Sequence, residues 1–450
     1  MADATNTGAG ESDSMIMEMS SENANDAPKP KNSVKMFQFF VLCLALIIGL
    51  SLMSFGASRF VNFNVEKSIV RFTPGNAPII YEPARDCGKR ITAWSHLGSP
   101  VRLTKQQLSM LTHVILYPMY IQENGTLTFE DEEQKKNFAK YVSMAKKSNV
   151  KALMSTDGHY ETKNIAAVTA NAEKRKVLVD SIILLVNEYQ LDGVDVYWKY
   201  PKTKEDFLNL IALCKDLREV FDQYSRRIIL SHLIPPASIT ANTGYVNLQK
   251  KVIEIVDFVN VDVNGNYGYW IKDREHLVGP AAPLYSGHGV GWNVNVNTIM
   301  QKFSCLMNSS EKLNMMVNID SFRWDNVIRP VNDTETLWMT ADPENGKYTG
   351  RWIWWRDLNS KGYDVKNASW NQESRTPYIW NSEKREYLSF ENERSLQEKM
   401  KYASEKNIGG VTFWELRSDD DSNTLLEVVK SKFGCVGADR AIVKYECKEV

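Results

Sequence analysis

The sequence predicts an α/β protein, a (β/α)8 barrel, that is preceded by a single transmembrane helix. From about Cys87 onward, short apolar segments typical of buried strands alternate with longer segments of helical periodicity, as in a parallel sheet with crossover helices. Eight such units follow one another, and eight is the number that closes this type of barrel. An uncharged apolar stretch of about 20 residues precedes them, which is the length of one bilayer crossing.

The predicted barrel strands are rich in β-branched and other apolar residues. They are Ile91–Ser95, His113–Met119, Val150–Ser155, Gly193–Trp198, Ile228–Leu233, Phe258–Val263, Asn314–Ile319 and Gly410–Leu416. Helices are predicted between them. Thr203 and Asp206 have the spacing of a capping box at a helix start. A further helix is indicated by its apolar stripe, which is formed by Leu178, Ile182, Leu185 and Tyr189.

One connection of the predicted barrel is much longer than the others. It joins the seventh and eighth strands, spans about residues 321–390, and is rich in tryptophan and tyrosine. Ordinary connections are far shorter, and a long segment after a barrel strand often builds one wall of the functional site. We therefore predict an insertion with a fold of its own at this point.

The chain before the barrel divides into three regions. Residues 1–35 are predicted to be a disordered acidic tail, because the first 28 contain six acidic residues and neither a basic nor an aromatic one. Residues 36–57 form the predicted transmembrane signal anchor and residues 58–86 a stalk. Lysines are denser before the apolar segment than basic residues are after it, which favours a cytosolic N-terminus. The expected protein is a single-pass type II membrane protein whose barrel domain, residues 87–450, is extracellular or lumenal.

A cleaved signal peptide is the alternative to this anchor. It fits less well, since a long tail precedes the apolar segment and the segment exceeds a typical h-region. The orientation also predicts N-glycosylation, because all four sequons follow the apolar segment. Their asparagines are Asn124, Asn308, Asn332 and Asn367.

The six cysteines give a partial prediction. Cys214 lies on an apolar helix face and is expected to be a buried small hydrophobe, and Cys305 is interpreted in the same way. A disulfide is predicted among Cys87, Cys435 and Cys447, which flank the ends of the barrel domain, and the sequence leaves the pairing open.

Composition excludes several classes of function. The net charge of −1 and the pI near 6.6 argue against nucleic-acid binding. No spacing of histidine and cysteine resembles a zinc site. We therefore expect neither a metal nor a cofactor.

The predicted fourth strand carries the most informative motif. From Asp192 to Lys199 the chain resembles the Asp-x-x-Asp-x-Asp-x-Glu strand of glycoside hydrolase family 18, the chitinases. The two leading aspartates match at Asp192 and Asp195, but Tyr197 replaces the third carboxylate and Lys199 replaces the catalytic glutamate. The resemblance extends from Ile91 to about Phe433 and implies a small α+β fold for the insertion. Together with the predicted signal anchor, this makes the chain similar to the membrane-anchored chitinase-like proteins of nematodes.

The resemblance also implies what has been lost. In that family the substrate's N-acetyl oxygen attacks the anomeric carbon while the glutamic acid protonates the leaving oxygen. A lysine, with an ordinary pKa of about 10.4, holds its proton too tightly for this role. Tyr197 removes the aspartate that orients the acetamido group. We therefore predict a pseudoenzyme without catalytic residues.

Other strand ends imply a glycan-binding groove. Trp414 occupies the position of the family tryptophan that floors the sugar subsite nearest cleavage, and Trp94 stands where the family has a tyrosine. The Met-x-Tyr-Asp ending of the sixth strand has become Asp262-Val263-Asn264-Gly265. The substrate-binding residues implied by the resemblance are Trp414, Trp94, Asp195 and Asn264.

Structural interpretations compete with these roles. The two aspartates of the motif are expected to hold the strand–loop junction through hydrogen bonds. Lys199 is expected to pair with Asp195, and Trp414 is either a stacking platform for a sugar or a core residue.

The predicted function is that of a non-catalytic, chitinase-like membrane glycoprotein that binds chitin or other N-acetylglucosamine-containing glycans. One alternative is a protein-interaction ectodomain without carbohydrate affinity. The other is a glycoside hydrolase in which the general acid has been relocated.

Overall fold

The computed structural model describes residues 89–156, 162–235, 243–265, 267, 275–286, 294–332, 335–433 and 445–447. The predicted acidic tail, signal anchor and stalk lie outside this part of the chain, as do Cys87 and Cys435. Among the described residues, no helix has the length and apolar character needed to cross a membrane.

The described strands form one large sheet and two small ones. In chain order they are β1 Arg90–His96, β2 His113–Ile121, β3 Leu127–Thr128, β4 Lys151–Thr156, β5 Gly193–Tyr197, β6 Ile229–Ile234, β7 Phe258–Val261, β8 Leu277–Val278, β9 Leu313–Asn318, β10 Ser321–Trp324, β11 Val327–Asn332, β12 Glu335–Ala341, β13 Gly350–Ile353, β14 Ser369–Asn371, β15 Thr376–Asn381, β16 Glu386–Ser389 and β17 Gly410–Trp414. The described α-helices are α1 Lys105–Ser109, α2 Glu132–Lys147, α3 Thr162–Ala170, α4 Ala172–Tyr189, α5 Lys204–Phe221, α6 Thr243–Ile255, α7 Val296–Met307, α8 Glu393–Glu405 and α9 Thr424–Phe433.

Eight parallel strands close into a barrel in the order β1, β2, β4, β5, β6, β7, β9 and β17. The last strand returns to the first, since Ala93 of β1 lies opposite Phe413 of β17 on one side and opposite Val114 of β2 on the other. All eight predicted strands are present, each within about two residues of its predicted ends. The predicted (β/α)8 barrel is confirmed.

Strand β5 shows how the barrel separates its two layers. Val194, Val196 and Trp198 are buried in the large core between the strands and the surrounding helices. The alternate residue Tyr197 points into the barrel, where it belongs to a separate interior cluster. The next helix, α5, begins at the predicted capping box, in which the Thr203 hydroxyl accepts from the Asp206 backbone.

The insertion between β9 and β17 consists of two antiparallel sheets. One has the strand order β13-β10-β16-β15-β14, and the other has the order β11-β12-β8. Strand β8 comes from the earlier connection between β7 and α7, a contribution that the sequence analysis missed. Within residues 321–332 and 335–390 there are two 3-10 turns and no α-helix, so the expected α+β fold is wrong for this part. Aromatic residues, which favour strands, recur in these segments. Five of them pack together in the core of the insertion: Phe322, Trp324, Trp338, Tyr378 and Tyr387.

The cysteines correct two predictions. Cys305 forms a disulfide with Cys447, with 5.5 Å between their Cα atoms, so the predicted pairing of Cys447 with Cys87 or Cys435 is wrong. Cys305 was expected to be a buried thiol, but it lies off the apolar stripe of α7, which includes Ile299 and Phe303, and is only half buried. Cys214 is buried and free, as expected.

Three of the four sequon asparagines have exposed side chains in the described part, namely Asn124, Asn308 and Asn367. The side chain of Asn332 lies outside it. These three positions are therefore accessible to a glycan.

Candidate functional site

The candidate site lies at the C-terminal ends of the barrel strands, the end at which (β/α)8 barrels carry their functional residues. Alternate residues of β5 point to the interior, so that Asp195 and Tyr197 lie inside the barrel and Lys199 follows two residues after the strand ends. Trp414 ends β17 at the same face.

Asp195 is fully buried in a polar network inside the barrel. Its carboxylate accepts hydrogen bonds from Ser231 Oγ at 2.6 Å, Asn260 Nδ2 at 3.0 Å and Ser155 Oγ at 3.4 Å. The network continues from Asn260 Oδ1, which accepts from Asn314 Nδ2 at 3.0 Å. Burial raises the pKa of Asp195 to about 7, although the three hydrogen bonds act in the opposite direction. The carboxyl group is thus held by neighbouring strands and presents no surface to a ligand.

Asp192 lies at the opposite end of β5. Its carboxylate accepts from the backbone N–H of Ala152 at 2.9 Å and pairs with Lys151 Nζ at 3.2 Å. These contacts fasten β5 to β4. The hydrogen bonds that the structural interpretation expected for both aspartates are therefore present.

Lys199 pairs with Asp262 and not with Asp195, which corrects the expected partner. Lys199 Nζ lies 3.4 Å from Asp262 Oδ2, and the two side chains are 20% and 9% exposed. Asp195 is four residues back along an extended segment, about 13 Å away, and lies in a deeper layer of the barrel.

The Lys199 ammonium group is stabilised where it lies. Burial alone would lower the pKa of Lys199, but attraction from Tyr197 and from the Asp262 carboxylate outweighs it and raises the pKa above its ordinary value. Lys199 is therefore a fixed cation at neutral pH.

Asp262 joins Lys199 to Asn264. Its second carboxylate oxygen accepts from the backbone N–H of Asn264 at 3.0 Å and from Asn264 Nδ2 at 3.1 Å. Asn264 is 3% exposed. Its own Oδ1 is buried and meets no hydrogen-bond donor in the part of the chain that the structure describes.

Aromatic side chains fill the top of the barrel interior. Trp94 lies 5.5 Å from Tyr197, 5.1 Å from Trp414 and 5.3 Å from Tyr117 between ring centroids. Trp94 is 0% exposed and Tyr197 is 3% exposed, whereas Trp414 is only half buried. Of the two tryptophans predicted to bind substrate, Trp414 alone therefore has an accessible surface in this structure.

A second group of polar residues surrounds Trp414. Asp320 accepts hydrogen bonds from the side chains of Trp414 and Ser418. The adjacent Glu415 is 1% exposed, and its carboxylate accepts from Arg417 Nε at 2.6 Å and from the Tyr117 hydroxyl. Burial, followed by repulsion from Asp320, raises the pKa of Glu415 to about 7.

Sequence reasoning missed three carboxylates of this site: Asp262, Asp320 and Glu415. A signal was present, because each follows the last residue of a barrel strand by no more than two positions. Each is engaged: Asp262 with Lys199, Glu415 with Arg417, and Asp320 with Trp414. Within the described residues, no cluster of histidine, cysteine and carboxylate side chains could hold a metal ion.

Comparison with known proteins identifies the family of this barrel. The model of the family "Glycosyl hydrolases family 18" matches residues 91–419. Chitinase A1 of Niallia circulans is 27% identical over 300 residues, which span 63% of this chain and 42% of that relative.

Two solved structures share the fold over most of their length. The Group IV chitinase of Ostrinia furnacalis has a TM-score of 0.65 at 21% identity, over 77% of this chain and 99% of that one. A mutant class V chitinase of Nicotiana tobaccum, in complex with NAG4, has a TM-score of 0.65 at 15% identity over the same shares. Since the family model covers well over half of the sequence, the chain belongs to glycosyl hydrolase family 18.

Proposed function

We propose that this protein is a non-catalytic member of its family that binds N-acetylglucosamine-containing glycans at the barrel mouth. The observation that carries the proposal is Lys199, which occupies the position of the family's acid and is held as a cation by Asp262. We further propose that residues 36–57 anchor the protein in a membrane as a type II glycoprotein.

A fixed cation at this position opposes glycoside hydrolysis in two ways. It does not release a proton to the leaving oxygen near neutral pH. It also repels the positive charge that develops on the sugar ring in the transition state. Tyr197 adds a further loss, because the side chain that should orient the acetamido group is packed against Trp94.

A relocated acid finds little support at this mouth. Glu415 has a pKa near neutrality, as a general acid requires. Yet it is 1% exposed, and its two carboxylate oxygens accept from Arg417 and Tyr117. A proton on Glu415 would have to leave a buried hydrogen-bonded site before it reached a substrate.

Glycan binding is supported by the position and support of Trp414. Its ring is half buried, packs on Trp94 and Tyr117, and is fixed by the hydrogen bond to Asp320. A rigid aromatic surface of this kind suits stacking against the apolar face of a sugar. The solved relative in complex with NAG4 shows that this fold can hold such an oligomer.

A protein-interaction ectodomain is the second candidate. It is favoured by one observation, the burial of Trp94 and Tyr197 inside the barrel. Because these side chains fill the top of the barrel, the groove available to a sugar is shallower. A partner protein would instead bind the outer surface of the domain.

Calorimetry of the full-length protein with an N-acetylglucosamine tetramer separates the two candidates. We expect binding that weakens about tenfold in Trp414→Ala, as loss of a stacking contact implies. The matched control is Trp352→Ala, because Trp352 is 49% exposed and lies on the insertion. Absence of binding by the folded wild-type protein at millimolar ligand would reject the glycan proposal.

The proposed topology has its own test. Asn124, Asn308 and Asn367 are exposed, so expression in a glycosylating cell should yield a band that migrates faster after enzymatic removal of N-linked glycans. A band that does not shift, and that remains unshifted when each asparagine is replaced by glutamine, would contradict the lumenal orientation.

A further inference from the structure

A small polar cleft lies where the insertion meets the ends of β7 and β9. Its volume is about 10 Å³, the space of about one water molecule. The lining residues that matter below are Asn264, Asn318, Asp320, Ala281, Ser389 and Glu391. Asn318, Asp320 and Ala281 are half buried and form its rim, whereas Asn264 is almost fully buried.

The cleft offers hydrogen-bond acceptors that nothing in the described chain satisfies. Asn264 Oδ1 and Asp320 Oδ1 are both buried and have no donor among the described residues. A buried acceptor without a partner is unfavourable, so such an atom is either a defect or a ligand contact. Two of them on the walls of one cleft point to a ligand.

Three other polar side chains of the cleft already have partners. Ser389 Oγ accepts from the Ala281 backbone at 2.8 Å, and Asn318 Oδ1 accepts from the Asp320 backbone at 2.8 Å. Glu391 is paired with Lys399 and also accepts from a serine hydroxyl. Among the described residues that line the cleft, the buried acceptors without a donor are therefore Asn264 Oδ1 and Asp320 Oδ1.

Among the described charged groups around the cleft, one carboxylate does not take part in an ion pair. Three ion pairs, Lys199 with Asp262, Arg417 with Glu415 and Lys399 with Glu391, each combine one cation with one anion. Asp320 is not in any of these pairs. It accepts hydrogen bonds from the neutral side chains of Trp414 and Ser418, and the cation that acts on it, Arg417, is already paired with Glu415. A cation is the complement of this arrangement.

We propose that this cleft binds the free amino group of a deacetylated amino sugar, so that the mouth prefers glucosamine-containing glycans to fully acetylated ones. The inference rests on the proposed glycan-binding function and concerns the same site. An ammonium group offers three N–H donors on a single heavy atom, which matches two acceptors in a space of about 10 Å³.

An acetamido group fits the cleft poorly. It has one N–H donor and carries three further heavy atoms, whereas the cleft has space for about one water molecule. The residues that the family resemblance assigns to the acetamido group are also altered, because Tyr197 is packed among aromatic rings and Asn264 stands in place of a tyrosine. The site has lost acetamido contacts and gained acceptors that suit an amine.

Trp414 brings the two parts of the proposed site together. Its indole N–H is bonded to Asp320, which lines the cleft. A sugar stacked on Trp414 therefore lies beside the acceptor that would receive its amino group, and one ring can make both contacts.

The test is calorimetric titration of the full-length protein with glucosamine tetramer, N-acetylglucosamine tetramer and, as a neutral control, glucose tetramer. We expect the glucosamine tetramer to bind about tenfold more tightly than the acetylated one, the factor typical of a charge-assisted hydrogen bond. Asp320→Asn should remove this preference, so that the ratio of the two affinities falls to about one, because the amide lacks the charge that favours an ammonium group. Asp342→Asn is the matched control, since Asp342 is an exposed carboxylate on the insertion and does not line the cleft.

A second variant keeps the inference testable if Asp320→Asn does not fold. Ala281→Leu fills the cleft from its half-buried rim while it retains the backbone N–H, and it should also abolish the preference. Thermal melting shows whether each variant is folded.

The outcomes separate this inference from the proposed function. If the acetylated tetramer binds as tightly as the glucosamine tetramer, or if Asp320→Asn weakens both equally, the cleft holds only water and the inference is wrong while glycan binding stands. If neither tetramer binds to folded wild-type protein, both the inference and the proposed function are rejected.

Discussion

The two halves of the motif segment on β5 have different surroundings. Asp192 and Asp195, which match the family motif, are held by hydrogen bonds to β4, β6 and β7. Tyr197 and Lys199, which depart from the motif, have partners at the barrel mouth, namely an aromatic cluster and Asp262. The difference indicates that the motif aspartates stabilise the barrel itself, and the proposed loss of catalysis rests on the two positions that depart from the motif.

The residue that departs from the motif at position 199 has a matching partner on another strand end. Lys199 brings a positive charge to the mouth, and Asp262, which stands where the family has methionine, supplies the opposite charge. A buried cation without a partner is strongly destabilising, so one change requires the other. Lys199 and Asp262 therefore form one coupled ion pair at the mouth.

The largest expected effect on stability concerns Asp195, one of the two aspartates that match the motif. Asp195→Ala should lower the free energy of unfolding by about 3 kcal/mol, because Ser231 and Asn260 lose a buried acceptor. Urea unfolding measures this loss. Asp195→Asn is the matched control and should lose far less, since the amide can still accept from both groups. An alanine variant within about 0.5 kcal/mol of wild type would show that the interior network does not support the barrel.

The next effect tests the ion pair between Lys199 and Asp262. Asp262→Asn keeps the contacts to Asn264 but leaves Lys199 without its counter-charge, and we expect a loss of about 2 kcal/mol for this partly exposed pair. Adding Lys199→Met to this variant should recover most of the loss, because the unpaired cation is then gone. Unfolding of both variants gives the comparison. A double variant no more stable than Asp262→Asn would mean that the two residues are not coupled.

The last prediction concerns the pH dependence of stability. Burial raises the pKa of Asp195 from 3.8 to about 7, so between these values the folded protein retains a proton that the unfolded chain has released. Stability contributed by this group is therefore present at low pH and falls as the pH rises through that window.

Removing the titrating carboxyl group should reduce the decrease in stability with rising pH. We expect Asp195→Asn to reduce the slope by about 1.4 kcal/mol per pH unit, the value for one proton. Urea midpoints collected across the window test the expectation, with Asp342→Asn as a control because that carboxylate is exposed. An unchanged slope would show that Asp195 ionises normally in the folded protein.

Most of the barrel could be predicted from the sequence because its signals are local. All eight strands are runs of apolar residues between helical segments, and the start of α5 is marked by Thr203 and Asp206. The family resemblance of the β5 motif is confirmed by the match to residues 91–419.

The features that sequence reasoning missed depend on which distant segments become neighbours. Asp262 lies 63 positions from Lys199, and nothing local marks it as the partner. Strand β8 joins the insertion from an earlier loop, and Cys305 meets Cys447 across 142 positions. Such pairings are set by the closed barrel and its packing, which a single sequence does not display.

The most direct test of the central claim is a hydrolysis assay with chromogenic N-acetylglucosamine oligomers. The full-length protein should show no turnover above background, because loss of the general acid alone costs about 10²–10⁴ in rate. A catalytically active chitinase assayed in parallel establishes sensitivity. Turnover by the wild-type protein that disappears in Lys199→Ala or in Glu415→Gln would contradict the account and identify the residue that supplies the proton.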